Sequence, residues 1–294
     1  MIPLIKLKKE VEFNGELKFV MDALKGIAMN RYLALQKQLT IFDRFPELAG
    51  ELLEGISVDK IDHPFVRSTA KRVAVLMVTT DSGFVGNVNS QVINAGLAAG
   101  GPDALLAVIG ERGASALSDL KRQFKKFPGI QDKERAKLAS ETREYMSQLI
   151  LNGEAGSFVV VYPKPLSMTV QKATVETMLP CKEWISGHEE SSVSAKDIIW
   201  ESQPSDVLSY VATFWVDHRL DEIFAMSRVA ELGSRVMNLE GSFQEVVRQG
   251  KKIKLVYHRA RHEVIDRSMR EVFASQLLFA RLEEDEVSDV KQGK

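Results

Sequence analysis

The stretch Asp81-Ser82-Gly83-Phe84-Val85-Gly86-Asn87-Val88-Asn89 follows an apolar run and stands where a phosphate-binding turn would stand in a strand–turn–helix unit. The chemistry there would be an anion cradled by backbone N–H groups. The stretch matches neither G-x-G-x-x-G nor G-x-x-x-x-G-K-[ST], and it has no lysine to reach a phosphate. It reads as a glycine turn that lets a strand pass tightly into a helix. Ile109-Gly110-Glu111-Arg112-Gly113 reads the same way, as a strand end and a helix start. His258 and His262 are four residues apart, a spacing compatible with a metal. No carboxylate or third histidine lies at a matching position, and Arg259 and Arg261 flank the pair, so a solvent-facing pair is expected. Cys181 is the single cysteine. It excludes an internal disulfide and a cysteine-based zinc site, and no local signature makes it a nucleophile. There is no paired-carboxylate set and no Ser/His/Asp arrangement. The expectation is a chain with no catalytic, cofactor-binding or metal-binding residues of its own.

The elements that hold these motifs alternate in the middle of the chain. Residues 73–79 (VAVLMVT) form a continuous apolar run, as expected of a strand buried on both faces. A helix through Val92 and Leu97, a strand over 105–109, a helix over 114–124, a charged helix over 132–151 and a strand over 158–162 follow. Pro163 and Pro165 are expected to close that strand. Residues 169–179 fit helix or strand, and 198–200 fit a last strand. Such alternation predicts a mainly parallel, Rossmann-like sheet with helices on its faces.

Long helical patterns bracket this domain. Ala225, Val229, Leu232, Val236, Leu239, Phe243, Val246, Gly250, Ile253, Tyr257, Ala260 and Val264 alternate steps of four and three, with no charge among them. This is a heptad seam, and it needs a partner helix. Gly250 is its weakest member. No proline follows Pro204, so nothing interrupts a helix from there onward. Near the start, Leu17, Met21, Leu24, Ala28, Tyr32, Leu35, Leu39 and Phe42 form a second seam with a skipped step after Ala28. Pro46 should end that helix, with a shorter piece over 47–54. The economical solution is an antiparallel coiled coil of the two chain ends. At ~1.5 Å per residue the C-terminal helix spans on the order of 110 Å. The expected divisions are 1–58 (N-terminal coiled-coil helix), 70–202 (central α/β domain), 205–282 (C-terminal coiled-coil helix) and 283–294 (acidic tail).

The 294 residues carry a net charge of −1, so there is no bulk attraction to nucleic acid. The distribution is uneven. Arg248, Lys251, Lys252, Lys254, Arg259 and Arg261 occur without an intervening acid, and Glu283, Glu284, Asp285 and Glu286 follow in the tail. The basic run is a solvated face or a surface matched to an acidic partner. No apolar stretch approaches the roughly twenty residues of a membrane span, and residues 1–10 lack a signal peptide's apolar core. Any membrane role is expected to be peripheral.

Taken in order, these stretches resemble the gamma subunit of F-type ATP synthases. The run from Val73 through Asn89 is similar to the family's strand and (S/T)D-R-G-L-C-G-x-x-N, with Asp81, Gly83, Gly86 and Asn89 matching. Ser82 replaces the arginine and Val85 the cysteine. Ile109-Gly110-Glu111-Arg112-Gly113 is similar to IG-x-(K/R)-G. Leu255-Val256-Tyr257-His258-Arg259-Ala260-Arg261 is similar to L-x-YN-(K/R)-x-RQ. The helix from Val20 to Arg31 resembles the family's AME-M-V-A-A-S-K-M-R-K. The family's SE-x-x-x-RM survives as Glu231, Arg235 and Val236, and IT-x-E appears as Ile265-Asp266-Arg267-Ser268. These departures resemble a divergent branch such as the alternate, sodium-linked ATPases.

The resemblance implies a central shaft within a ring of alpha and beta subunits, with the globular domain against epsilon and the c-ring. It implies no nucleotide site on this chain and no direct membrane insertion. It implies a peripheral position on the cytoplasmic side of a bacterial plasma membrane. Arg261 is the first candidate for a rotor–stator contact, with Arg259 and Arg235 next and Asp266 partly replacing the lost latch. Val272, Phe273, Leu277 and Leu278 would sit in an apolar bearing. Two other readings fit the residues: a ligand-binding α/β domain with a helical dimerisation stalk, and a coiled-coil scaffold unconnected with ATPases.

Overall fold

The computed structural model describes residues 3–39, 63–68, 70–180 and 202–292. Pro46, the 47–54 helix, the 198–200 strand and Cys181 lie outside the described residues. The described elements are α1 (Leu4–Leu39), β1 (Val73–Val78), α2 (Val88–Gly100), β2 (Leu105–Ile109), α3 (Glu111–Asp119), β3 (Phe124–Phe127), α4 (Arg135–Leu151), β4 (Ser157–Pro165), β5 (Gln171–Leu179) and α5 (Pro204–Gln292). The chain divides into two compact units, 25–239 and 1–24 with 240–294.

Within 25–239, five strands form one sheet in the order β3-β2-β1-β4-β5. β1 pairs in parallel with β2 and β4, and β2 with β3. β5 returns antiparallel to β4, with a bulge between Phe158 and Val159. The apolar runs of β1, β2 and β4 are buried on both faces, as central parallel strands must be. On one face Val75, Met77, Val108 and Val161 pack with Val92 and Ile93 of α2 and Leu117 of α3. On the other, Leu76, Val78, Phe158, Val160 and Tyr162 pack with Met146 and Ile150 of α4 and with Ala212, Val216, Leu220, Ile223 and Phe224 of α5. The base of α5 is thus part of the domain core.

Several local expectations change. α3 ends at Asp119, and Lys121 turns through φ 53°. The helix was expected to run to 124; the chain instead forms β3 (FKKF), for which no strand was expected. Its two exposed lysines mask a short edge strand that exists only through pairing with β2. The prolines do not close β4. Pro163 and Pro165 lie beyond the last β1 pairing partner of β4, Val161, so no β1 ladder bond is lost there. Residues 171–179 resolve as strand.

In the same unit Tyr32 of α1 packs with Val229 and Leu232 of α5, flanked by Leu35. Ala225, Val229, Leu232, Val236 and Leu239 are buried, as the heptad requires. In the other unit Leu7, Val246 and Gly250 are buried, and Asn14, Leu17 and Met21 are half-buried. A Cβ on Gly250 would collide with the Asn14 side chain, so the glycine is the notch that admits the asparagine. Lys18 lies 5.8 Å over the Phe243 ring. As α1 advances from 14 to 18, its partner retreats from 250 to 243, which makes the pair antiparallel. Leu24 is 41 % exposed, and Lys25 takes the half-buried place instead. The skipped step therefore falls before residue 25.

Candidate functional site

The turn after β1 spends its polar groups on its own architecture. Thr79 Oγ1 donates to Ile109 O (2.6 Å) and accepts from Gly113 N (3.0 Å). Thr80 N donates to Asn89 Oδ1, and Asn89 Nδ2 donates back to Thr80 Oγ1. Asp81 Oδ1 accepts the N–H of Glu111, the first residue of α3, at 3.0 Å. A carboxylate there complements a helix N-terminus. Arg112 N donates to Thr80 O. Asp81 thus ties the turn after β1 to the start of α3, and Asn89 of α2 ties the same turn to the helix that follows it.

The outer side of the turn meets α5. Ser234 Oγ, buried, donates to Val85 O at 2.8 Å. Gly86 has φ +59°, and a Cβ on it would stand 2.9 Å from Asn238 Nδ2. Only glycine satisfies both the left-handed backbone and the close approach. Arg235 donates to Ser82 Oγ and to Glu231. Glu231, only 5 % exposed, also receives Arg228 at 2.5 Å. Arg228 Nε stands 3.5 Å from Asp132 Oδ1, within ion-pair reach. Burial alone would lower the Arg228 pKa, but Glu231 and Asp132 hold it above its ordinary value. A cavity of about 230 Å³ remains among Arg31, Asp81, Gln131, Arg228 and Arg235. Its arginines 228 and 235 are already bonded to carboxylates.

The remaining expected site residues lie on α5 in the other unit. Arg259, Arg261 and Asp266 are exposed. The Asp266 carbonyl accepts from Arg270 Nε at 3.2 Å. Every residue from 261 to 278 is exposed, including Val272, Phe273, Leu277 and Leu278 at 55–68 %. These residues form a solvated helical surface with an apolar side. Arg235 is separate from them in character: it is bonded within its own unit. Its long-range partner, Ser82, could not be read from local sequence. Among the described residues no group of three His, Cys, Asp or Glu is placed to hold a metal, and no helix is long and apolar enough to cross a membrane.

The fold and this turn define a class: an α/β domain whose customary ligand turn grips a long helix, itself one half of an antiparallel helical pair. The sequence profile of the ATP synthase family matches residues 4–276. The chain belongs to that family. It is similar to the ATP synthase gamma chain of Chlorobium phaeobacteroides, 24 % identical over 269 residues, covering 86 % of this chain and 90 % of that one. It is 22 % identical to the gamma chain of Mycoplasmopsis synoviae, with 92 % and 97 % covered. Among solved structures, a chain of the Euglena gracilis mitochondrial ATP synthase OSCP/F1/c-ring assembly superposes with a TM-score of 0.70 at 12 % identity, covering 94 % of each chain. A chain of the Tetrahymena thermophila mitochondrial ATP synthase central stalk and c-ring gives 0.55 at 18 % identity, covering 76 % of this chain and 99 % of that one.

Proposed function

We propose that this chain is the central rotor shaft, the gamma subunit, of an F-type ATP synthase or ATPase. It couples ion flow through a membrane sector to ATP synthesis or hydrolysis at sites held by alpha and beta subunits. The observation that carries this is the family match across 4–276, joined to a fold in which the α/β domain is bonded to the helix that forms the seam. An asymmetric shaft touches three otherwise equivalent sites differently. Each orientation favours a different conformation at each site, which is a coupling free energy.

The helical pair, from 1–58 and 205–282, lies within the alpha/beta ring. The domain of 70–202 stands at the foot against epsilon and the c-ring. The complex is held at the cytoplasmic side of a bacterial plasma membrane. The basic run faces acidic segments of beta, with Arg261 and then Arg259 as the direct contacts. Both are exposed, and among the described residues neither forms an ion pair, so they are available to a partner. Arg235 is the weaker candidate because Glu231 and Ser82 hold it. Asp266 supplies part of the latch. Val272, Phe273, Leu277 and Leu278 run in an apolar bearing, which would remove their exposure.

The test is the paired reversal Arg259→Glu and Arg261→Glu in a complex reconstituted with alpha, beta, epsilon and c subunits. ATP-driven ion pumping should fall while the chain stays folded and assembled. Unchanged coupled activity rejects the contact assignment. Absence of alpha, beta and c subunits from the native complex, read by mass spectrometry, rejects the rotor reading itself.

A further inference from the structure

The base of α5 lies on the sheet through Ala212, Val216, Leu220, Ile223 and Phe224. At about 100° per residue these positions form one stripe. Asp217, Asp221 and Arg228 fall on one flank of that stripe, and Arg219 falls on the opposite flank. Each flank is bonded to a different part of the domain. On the first, Arg143 Nε of α4 meets Asp217 Oδ1 at 2.8 Å. Arg135 grips Asp221 with two hydrogen bonds, of 2.7 and 3.0 Å. Asp132, just before α4, reaches Arg228. On the second, Arg219 grips Glu176 of β5 with two hydrogen bonds, of 2.6 and 2.9 Å. Tyr162 of β4 donates to the same Glu176 at 2.9 Å, and Glu222 holds the third side of Arg219.

Apolar contact is non-directional, so an apolar seat resists lifting a helix more than rolling it about its own axis. Directional bonds on the flanks change that. On a helix of ~5 Å radius, a roll of about 20° moves a side-chain tip by about 2 Å, which breaks a hydrogen bond of ordinary length. Rolling one way lifts the α4 flank from its partners, and rolling the other way lifts the β5 flank. The Arg135–Asp221, Arg143–Asp217 and Arg219–Glu176 pairs are less than one-third exposed, so water and salt screen them less than surface pairs.

We propose that these opposed flanks form a torque lock, which makes the α/β domain and the base of α5 turn as one body in either direction of rotation. The proposal rests on the rotor reading above. In synthesis the domain drives α5 and in hydrolysis α5 drives the domain; in both, the torque crosses their junction through these flank bonds.

The test uses the complete complex in liposomes and compares ATP hydrolysis with ions pumped per ATP. The first variant is Asp217→Asn with Asp221→Asn, the second Arg219→Gln, and the third combines all three. The combined variant should keep its ATP hydrolysis while pumping per ATP falls roughly fivefold. Each single-flank variant should lie between it and wild type. Exchanging the charges (Arg135→Asp with Asp221→Arg, and Arg143→Asp with Asp217→Arg) should restore pumping to the otherwise wild-type chain. A merely structural role would lower hydrolysis and pumping together through poorer assembly. Wild-type pumping by the combined variant overturns the lock, as does an exchanged variant that pumps no better than the first. If the combined variant fails to assemble, Arg219→Lys decides: it keeps the charge, loses the paired hydrogen bonds and must by itself lower pumping. A wild-type complex that hydrolyses ATP without pumping would instead overturn the rotor reading, before any variant is compared.

Discussion

At the scale of single residues, two side chains hold positions whose chemistry can be tested in the isolated chain. His63 Nδ1 accepts the N–H of Phe65 at 3.2 Å, which leaves the ring proton on Nε2, 2.9 Å from Ser209 Oγ. Burial lowers the His63 pKa below its ordinary 6.5. The unfolded chain therefore takes up this proton at a higher pH than the folded one. The stability tied to the neutral ring is complete above about pH 6.5 and declines as the pH falls toward the folded pKa. Urea midpoints should drop on acidification through that window, and His63→Gln should flatten the drop. An unchanged slope in that variant would assign the pH dependence to other groups. The second residue is Gly250. Leucine is the usual occupant of such a seam, yet at this position its Cβ lands on Asn14. Gly250→Leu alone should cost about 1–3 kcal/mol through overpacking. Adding Asn14→Ala should recover more than that loss, a coupling readable from a double-mutant cycle in urea. The seam position of Gly250 is visible in the sequence, but its purpose is not. A glycine looks like a defect until the asparagine opposite is known.

At the scale of elements, legibility follows burial. β1, β2 and β4 are runs of apolar residues because neighbours cover both faces, and such runs declare themselves. β3 and β5 are edges. β3 carries two exposed lysines, and β5 alternates half-buried and exposed positions over most of its length. Their strand character comes from pairing with residues far along the chain, which no local pattern encodes. The same holds for the seam of α1, where half-buried Lys25 takes the place expected of Leu24. The β1 turn is an intermediate case. Its glycines and Asp81 announce a tight strand-to-helix passage, whereas its grip on α5 depends on Ser234, 149 residues away. Ser234→Ala would leave the buried Val85 carbonyl without that donor. The expected cost is about 1–3 kcal/mol, measured by thermal unfolding of the full chain. A smaller effect than for an exposed serine such as Ser275 would show that the turn does not depend on α5.

At the scale of the molecule, stability and coupling occupy different residues. The groups that hold the α/β domain to α5 are buried or half-buried: Glu231, Arg219, Asp221 and the apolar stripe from Ala212 to Phe224. The groups proposed to meet a stator, Arg259 and Arg261, are exposed. Reversing the latter should therefore leave the unfolding free energy of the chain within about 0.5 kcal/mol of wild type while coupling falls. A large stability loss on reversal would show that the two arginines serve the chain's own fold. The broad architecture was readable because periodicity changes from helical to strand-like and back. The attachment of the domain to its helix was not, since it is written in single charged residues dispersed over α4, β5 and α5.

α1 is translated well before α5, with which it packs. Tyr32 and Leu7 emerge early, but the part of α5 that covers Tyr32 is translated only after the whole sheet. The sheet face built on Leu76, Val160 and Tyr162 likewise waits for Phe224. Until α5 has been made, the nascent chain carries greasy surfaces that await it. Interrupted products should consequently be sticky and short-lived, and cells making this subunit should lean on chaperones that hold unfinished chains.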